Sequence, residues 1–237
     1  MFAGVDVRDY TADDSHQHLD TSADRLRALL AELAVRHPGV PVDVIAHSQG
    51  GVIAVRAVQD RDRPGPPLPT DLSVVTIGSP HAGSTSAGAG GLVEGADGIG
   101  EVALDVLELG PAAAVPHDAD SARDLRPTSA FMFDYHRRSW PEAVHVTSVA
   151  GSTDLIVPSP DTRLAGATRV VVNSGLNPLS AHGGLPARGA VTREIALAEA
   201  GLDPTCRSLV SSLVDAGVGT AFTQVTDRAA LLASALG

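Results

Sequence analysis

The leucines between residues 21 and 39 recur at the i, i+3, i+4, i+7 spacing that places one apolar stripe along a helix. Thr21 or Ser22 can cap this helix, and Pro38-Gly39 is a typical helix stop. The pattern therefore predicts an amphipathic helix that packs against a core through its leucine face.

Short runs of β-branched or alternating apolar residues separate the helix-like segments. They predict strands at residues 3–10, 42–46, 72–78, 143–151 and 167–173. Further helix-like patterns lie at residues 50–59, 187–200, 205–216 and 226–236. Because strands alternate with helices, we expect an α/β domain with a mainly parallel sheet and flanking helices.

Residues 81–142 interrupt this alternation between two predicted core strands. The segment begins with a Gly/Ser/Ala-rich stretch and contains four aromatic residues near its end, Phe131, Phe133, Tyr135 and Trp140. An insertion of this length predicts a cap over a substrate pocket, with Phe131, Phe133 or Trp140 facing the pocket. The alternative is a surface insertion that has no part in function.

The composition narrows the classes of function. The chain of 237 residues has a net charge of −11, which argues against nucleic acid and anionic membranes as partners. All 17 basic residues are arginines, so sites that need lysine, such as a P-loop or a Ser-Lys dyad, are excluded. The single cysteine, Cys206, excludes an internal disulfide and is expected to be a buried structural thiol.

No apolar stretch approaches the roughly 18 residues of a membrane span. The first residues show neither a basic region nor an apolar core of a signal peptide. A cytoplasmic location is therefore expected for the chain as it stands.

The stretch "VPVDVIAHSQGGVIAVRAV" (40–58) carries the strongest chemical signal. A buried strand runs into Ser48 and then, through two glycines, straight into a helix. This matches the G-x-S-x-G nucleophile elbow with Ala46 in place of the first glycine. Such a turn exposes the Ser48 hydroxyl and points the backbone amide of Gln49 at the place where an oxyanion forms. A strand-to-helix turn without a catalytic role is the alternative.

A nucleophilic serine needs a base and a carboxylate that orients the base. Asp154 and His182 both follow predicted strands, in the chain order Ser, Asp, His, and both are surrounded by small residues. Because the carboxyl ends of parallel strands share one edge, these residues are expected to meet Ser48 there. Asp161 is the reserve carboxylate.

The other histidines fit the base position less well. His81 follows a strand but precedes any suitable acid, so it is expected to line the mouth of the pocket. His47 is expected to point away from the substrate. His16 and His18 could suggest a metal, but without a third ligand at fixed spacing they predict a solvated loop, and no metal site is expected.

Four motifs together resemble α/β-hydrolase-fold lipases and esterases, in particular the PGAP1-like or bacterial triacylglycerol-lipase branch. They are "DVIAHSQGGV", "VVTIGSPHAGS", "VAGSTDLIVP" and "SAHGGLP", and the resemblance covers about residues 3–190. It implies an α/β-hydrolase fold with Ser48 as nucleophile, His182 as general base and acid, and Asp154 as its orienting carboxylate. It also makes the Gln49 amide one of two oxyanion donors.

Such enzymes have a further strand and an "HG" loop, carrying the second oxyanion donor, ahead of the strand matching residues 3–9. The resemblance therefore predicts an N-terminally incomplete core of residues 1–80 and 143–237, with the cap at 81–142. We expect residues 3–9 to pair with the elbow strand, or the elbow strand to lie at a sheet edge. If the true start lies upstream, secretion or membrane association is the alternative location.

The expected function is hydrolysis of carboxylic esters of lipid-like type through an acyl-enzyme. The partner is a small-molecule ester or lipid, and no cofactor is expected. Two alternatives stay open at this point. One is an acyltransferase or thioesterase with the same three residues, and the other is a non-catalytic, truncated remnant.

Overall fold

Four segments rich in β-branched residues pair into one parallel sheet, in the order β1-β2-β3-β4. The computed structural model describes residues 11–59, 67–84, 119–175 and 181–205. The strands are β1 (Val42–His47), β2 (Leu72–Ile77), β3 (Val144–Gly151) and β4 (Thr168–Val172). Each lies within two residues of its predicted bounds. All six residues of β2 are buried, as expected for a parallel strand covered on both faces.

Helices connect and flank these strands. They are α1 (Ala12–His16), α2 (Leu19–Arg36), α3 (Gln49–Val58), α4 (Asp120–Asp124), α5 (Ala130–Arg137), α6 (Ala181–Gly184) and α7 (Gly189–Glu199). Short 3₁₀ turns lie at Ser159–Thr162 and Leu185–Ala187.

The sheet is sandwiched between two apolar clusters. Leu72 and Val74 of β2 point into a cluster with α2, α3 and α5, whereas Val75 and Ile77 point into a second cluster with β4 and α7. Alternate residues of a strand face opposite sides of the sheet. The two clusters therefore lie on opposite faces, and the chain forms three layers, helix, sheet and helix.

Helix α2 begins earlier than its sequence predicts. Leu19 is its first residue and His18 its N-cap, so the prediction that Thr21 or Ser22 caps the helix is wrong. The carboxylate of Asp124, in α4, accepts the N–H of Leu19 at 2.9 Å. A cap supplied from a residue 105 positions away leaves no local signal in the sequence.

Helix α5, at the end of the predicted cap, is fixed to the core. Phe131, Met132 and Tyr135 belong to the same cluster as α2 and α3. Arg56 of α3 is 6% exposed and lies 2.7 Å from Asp20 of α2 and 2.8 Å from Asp134 of α5. This charge cluster joins three helices on one face of the sheet.

Several predictions from the sequence lie outside the described residues. These are the strand at 3–10, most of the predicted cap (85–118), Cys206 and the helices that follow residue 205. Within the described residues β1 pairs with β2 alone and forms one end of the sheet. The cap boundaries and the pairing of residues 3–9 stay predictions.

Candidate active site

Ser48 sits in the tight turn between β1 and α3. Its backbone has φ 54° and ψ −133°, and it is the described non-glycine residue with positive φ. Residues with a side chain rarely adopt such a backbone conformation unless the surrounding structure enforces it. Backbone strain of this kind clusters at functional sites. Here the Ser48 N–H donates to the carbonyl of Ile77 at 2.9 Å, which ties the turn to the end of β2.

The small residues around the turn have distinct tasks. A Cβ on Gly51 would lie 2.7 Å from the Cβ of Ser79 and 2.9 Å from that of Thr76, closer than real Cβ atoms approach. Only glycine lets α3 pass β2 at this point. A Cβ on Gly50 would instead lie 4.0 Å from the Cβ of Ala46, an ordinary contact. Ala46 therefore fits in place of the first glycine of the motif.

Asp154 is held in the loop that follows β3. It is 3% exposed, and its Oδ1 accepts the N–H groups of Ile156 and Val157, each at 3.0 Å. Two backbone donors fix the plane of the carboxylate, so its second oxygen, Oδ2, keeps one direction. Oδ2 points at Nδ1 of His182.

His182 lies between Asp154 and Ser48. Its Nδ1 is 2.7 Å from Asp154 Oδ2, and its Nε2 is 2.9 Å from Ser48 Oγ. An ionised carboxylate can only accept, so Nδ1 carries the proton and donates it to Asp154. Nε2 then has a free lone pair, and the Ser48 hydroxyl donates to it. The structure thus brings together the three residues predicted as a triad, in one hydrogen-bonded chain.

Gly78, directly after β2, forms the floor beneath this chain. Its φ is 54°, and an added Cβ would lie 3.3 Å from Asp154 Oδ2 and 3.4 Å from His182 Cε1. A side chain here would crowd the Asp154 carboxylate and Leu185, whose Cδ2 would lie 3.2 Å away, and would touch the His182 ring. The close approach needs glycine twice, for its backbone conformation and for its missing side chain.

The backbone amide of Gln49 is the first N–H of α3, and the first four N–H groups of a helix have no partner within it. The positive end of the helix dipole adds to its attraction for negative charge. The Gln49 side chain donates to the carbonyl of Ser15 at 3.0 Å, which anchors α1 beside the turn. The second oxyanion donor of the resembling enzymes lies on the "HG" loop, which the sequence matches to no residue of this chain, and its expected absence stays a prediction.

Asp161, the reserve carboxylate, is part of the 3₁₀ turn after β3. Its backbone carbonyl accepts the N–H of Ala82 at 2.8 Å and so holds the loop after β2. The carboxylate next to His182 is that of Asp154.

His81 corrects an expectation, because it does not line the mouth of a pocket. Its ring is completely buried, with Tyr135 Oη 2.7 Å from Nδ1 and Thr76 Oγ1 2.9 Å from Nε2. Burial, with a smaller effect from His136, lowers the pKa of His81 to about 3, so the ring is neutral at pH 7. Burial also raises the pKa of Tyr135. His81 therefore ties the loop after β2 to α5.

The three aromatic residues predicted to face the pocket are placed apart from one another. Phe131 lies in the core cluster, with the Arg56 guanidinium 5.5 Å from its ring centre. Phe133 is 66% exposed, and Trp140 packs at the cluster's margin beside Gly166. Phe131 and Trp140 thus contribute to the core, and their predicted role in substrate binding stays a prediction.

His18 contacts carboxylates rather than a metal-type cluster. Its Nδ1 is 3.2 Å from Asp124 and its Nε2 is 3.6 Å from Asp120, both in α4. The part of the chain that the structure describes holds no group of three or more His, Cys, Asp or Glu side chains placed to bind a metal. Nor does that part contain a helix long and apolar enough to span a bilayer.

Comparisons with known proteins agree with this architecture. Residues 5–99 match the family model Abhydrolase_8, described as "Alpha/beta hydrolase". The chain is also similar to the crystal structure of a candidate non-heme bromoperoxidase, BpoC, from Mycobacterium tuberculosis H37Rv, with a TM-score of 0.51 and 14% identity. That similarity covers 81% of this chain and 78% of the other. No curated protein matches significantly.

A structural similarity at 14% sequence identity shows that the two proteins share a fold, and it is no evidence that they share an activity. The PGAP1-like or lipase branch is not singled out by these matches. Together with the parallel sheet and its flanking helices, they show that the chain has the α/β-hydrolase fold.

Proposed function

We propose that the chain is a serine hydrolase that cleaves carboxylic esters through an acyl-enzyme. The observation that carries the proposal is the hydrogen-bonded chain from Ser48 Oγ through His182 to Asp154, with links of 2.9 and 2.7 Å. Nucleophile, base and orienting carboxylate within these distances form the arrangement that activates a serine. A merely structural serine would not need the positive φ of Ser48.

In the first half-reaction Ser48 Oγ attacks the ester carbonyl while His182 Nε2 takes its proton. The carbonyl oxygen becomes an oxyanion, which the Gln49 amide stabilises from the N-terminus of α3. Asp154 stabilises the imidazolium that has formed on His182. The imidazolium then gives its proton to the departing alkoxide, which leaves as an alcohol, and the acyl group stays on Ser48.

In the second half-reaction a water molecule takes the place of the alcohol. His182 Nε2 removes one of its protons while the water oxygen attacks the acyl-serine carbonyl. Collapse of the second oxyanion breaks the bond to Ser48 Oγ, which regains its proton from His182. The carboxylic acid leaves, and the enzyme returns to its starting state without any cofactor.

The four motifs that resemble the PGAP1-like or bacterial triacylglycerol-lipase branch favour a lipid-like ester as the substrate. The same chemistry could pass the acyl group to an alcohol instead of water, or accept a thioester. In each of these reactions, the size of the acyl group that fits would be determined by the predicted cap at 81–142 and the predicted pocket residues Phe131, Phe133 and Trp140.

A fluorophosphonate probe, which reacts with activated serines, tests the proposal. We expect it to label the purified chain at Ser48, and the parent to hydrolyse p-nitrophenyl esters. Ser48→Ala should abolish labelling and reduce kcat by about 10⁶-fold, whereas Ser22→Ala, on α2, should keep both. Absence of labelling in the parent would favour the non-catalytic alternative. Ester formation with an added alcohol, faster than hydrolysis, would assign an acyltransferase.

A further inference from the structure

The main-chain carbonyl of His182 lacks its normal helical donor. In a helix this carbonyl would accept the N–H of the residue four positions on, which here is Pro186. Proline has no N–H, so the one-turn helix α6 cannot supply this i+4 donor. His182 is buried, and a buried carbonyl that lacks a donor is unfavourable, so the backbone would tend to move to find one.

His47 supplies the missing donor. Its Nε2 lies 3.1 Å from the His182 carbonyl oxygen, and because a carbonyl can only accept, Nε2 carries the proton. The contact joins residues 135 positions apart in the chain. It therefore ties the backbone of the base to the residue immediately before the nucleophile.

The two imidazole rings also contact each other. Their centroids are 4.7 Å apart and their planes are inclined by 38°. The His47 ring therefore covers part of the His182 ring and limits its rotation, while Asp154 and Ser48 hold the two nitrogens. Burial, and after it the charge of His182, lower the pKa of His47. A neutral His47 adds no repulsion when His182 becomes positively charged.

We propose that His47 is a positioning residue, which holds the backbone and ring of His182 in line with Ser48 through the Nε2–H bond to the His182 carbonyl. The inference rests on the proposed function, because it assigns His47 a part in that reaction. His47 itself exchanges no proton with the substrate, since its Nε2–H is engaged by the carbonyl. Its removal should lower kcat and leave KM nearly unchanged.

Glutamine and asparagine form a matched pair for the test. The His47→Gln change would place an amide N–H near the position of Nε2, whereas His47→Asn carries the same amide one methylene short of the carbonyl. We expect His47→Gln to keep kcat within about 3-fold of the parent and His47→Asn to lose about 10- to 100-fold, with KM unchanged in both. His47→Leu, which keeps the bulk without a donor, should resemble His47→Asn.

A readout that needs no turnover separates this inference from the proposed function. The Nδ1–H of His182, bonded to Asp154, should give a downfield proton NMR resonance that disappears in His182→Gln. We expect it in the parent and in His47→Gln, and broadened or lost in His47→Asn. Equal kcat and equal resonances in the Gln and Asn variants would overturn the inference even if Ser48 reacts with the probe. If the parent shows this pattern of resonances but is not labelled by the probe, the proposed function is overturned. The role of His47 in holding His182 in place is then still supported.

Discussion

Adding one methyl group at Gly51 tests whether the contact between α3 and β2 sets the elbow. Gly51→Ala places a Cβ 2.7 Å from the Cβ of Ser79 and 2.9 Å from the Cβ of Thr76. A Cβ is fixed to the backbone, so neither neighbour can rotate away. The backbone of α3 or of β2 and its loop must therefore move. Gly50→Ala makes the same chemical change one residue earlier, where the nearest atom is 4.0 Å away.

Two effects of the added methyl group on the free energy of unfolding have opposite signs. Alanine is favoured over glycine inside a helix by up to about 1 kcal/mol, and this gain applies to both variants. Overpacking in a close-packed interior costs about 1–3 kcal/mol and offsets the gain at position 51 alone. We expect Gly51→Ala to lose about 1–2 kcal/mol of unfolding free energy, and Gly50→Ala to gain about 0.5–1 kcal/mol.

Thermal and urea unfolding of the two variants measure the difference. For a domain of this size, Tm should fall by about 2–8 °C in Gly51→Ala and rise by about 1–4 °C in Gly50→Ala. Because the shift moves Ser48 relative to His182, esterase kcat should also fall about 10-fold or more in Gly51→Ala. Equal Tm changes of the same sign in both variants would refute the close contact as the reason for glycine at position 51.

Two further predictions concern buried polar groups. In Asp154→Asn the two backbone N–H groups of Ile156 and Val157 keep the amide oxygen at the Oδ1 position, so the NH₂ group faces His182 Nδ1. His182 must then carry its proton on Nε2, towards Ser48, and we expect kcat for ester hydrolysis to fall about 10⁴-fold while Tm changes little. For His81, burial keeps the pKa at about 3 in the folded chain against 6.5 when exposed, so between these pH values the unfolded chain binds a proton that the folded chain does not. The parent's unfolding free energy should therefore be highest above pH 6.5 and should fall by roughly 1.5 kcal/mol between pH 6.5 and 5 because of His81. In His81→Gln this loss is absent, so in urea unfolding its unfolding free energy should fall by roughly 1.5 kcal/mol less than that of the parent over the same range.

Each of these predictions has a control. Asp154→Glu keeps a carboxylate and should therefore keep the tautomer of His182. If Asp154→Glu and Asp154→Asn lose kcat equally, the cause is a misplaced side chain and not the reversed tautomer. For His81, the matched variant is His145→Gln, because His145 is exposed on β3. If His81→Gln and the parent lose stability in parallel as the pH falls, burial of a neutral His81 is not the cause of the pH dependence.

Local pattern was sufficient to predict the four strands that the structure describes, and to choose the types of residue in the candidate site. β-Branched runs such as that of β2 and the leucine spacing of α2 are properties of neighbouring residues, so they can be read without tertiary contacts. Ser48, Asp154 and His182 could be chosen together because parallel strands deliver the residues that follow them to one edge of the sheet. The sequence also contained the reason for glycine beside Ser48, since a strand that runs directly into a helix leaves no room for a side chain.

Contacts between distant segments could not be read in this way. The N-terminus of α2 is capped by Asp124, and the buried ring of His81 bonds to Tyr135 of α5, so both predictions that used only nearby residues were wrong. For His47 the sequence offered half of the signal, because Pro186 leaves the His182 carbonyl without a helical donor. Only the folded chain decides which of its many N–H groups bonds to that carbonyl, since the choice depends on which side chains the packing of the sheet and helices brings within hydrogen-bond distance.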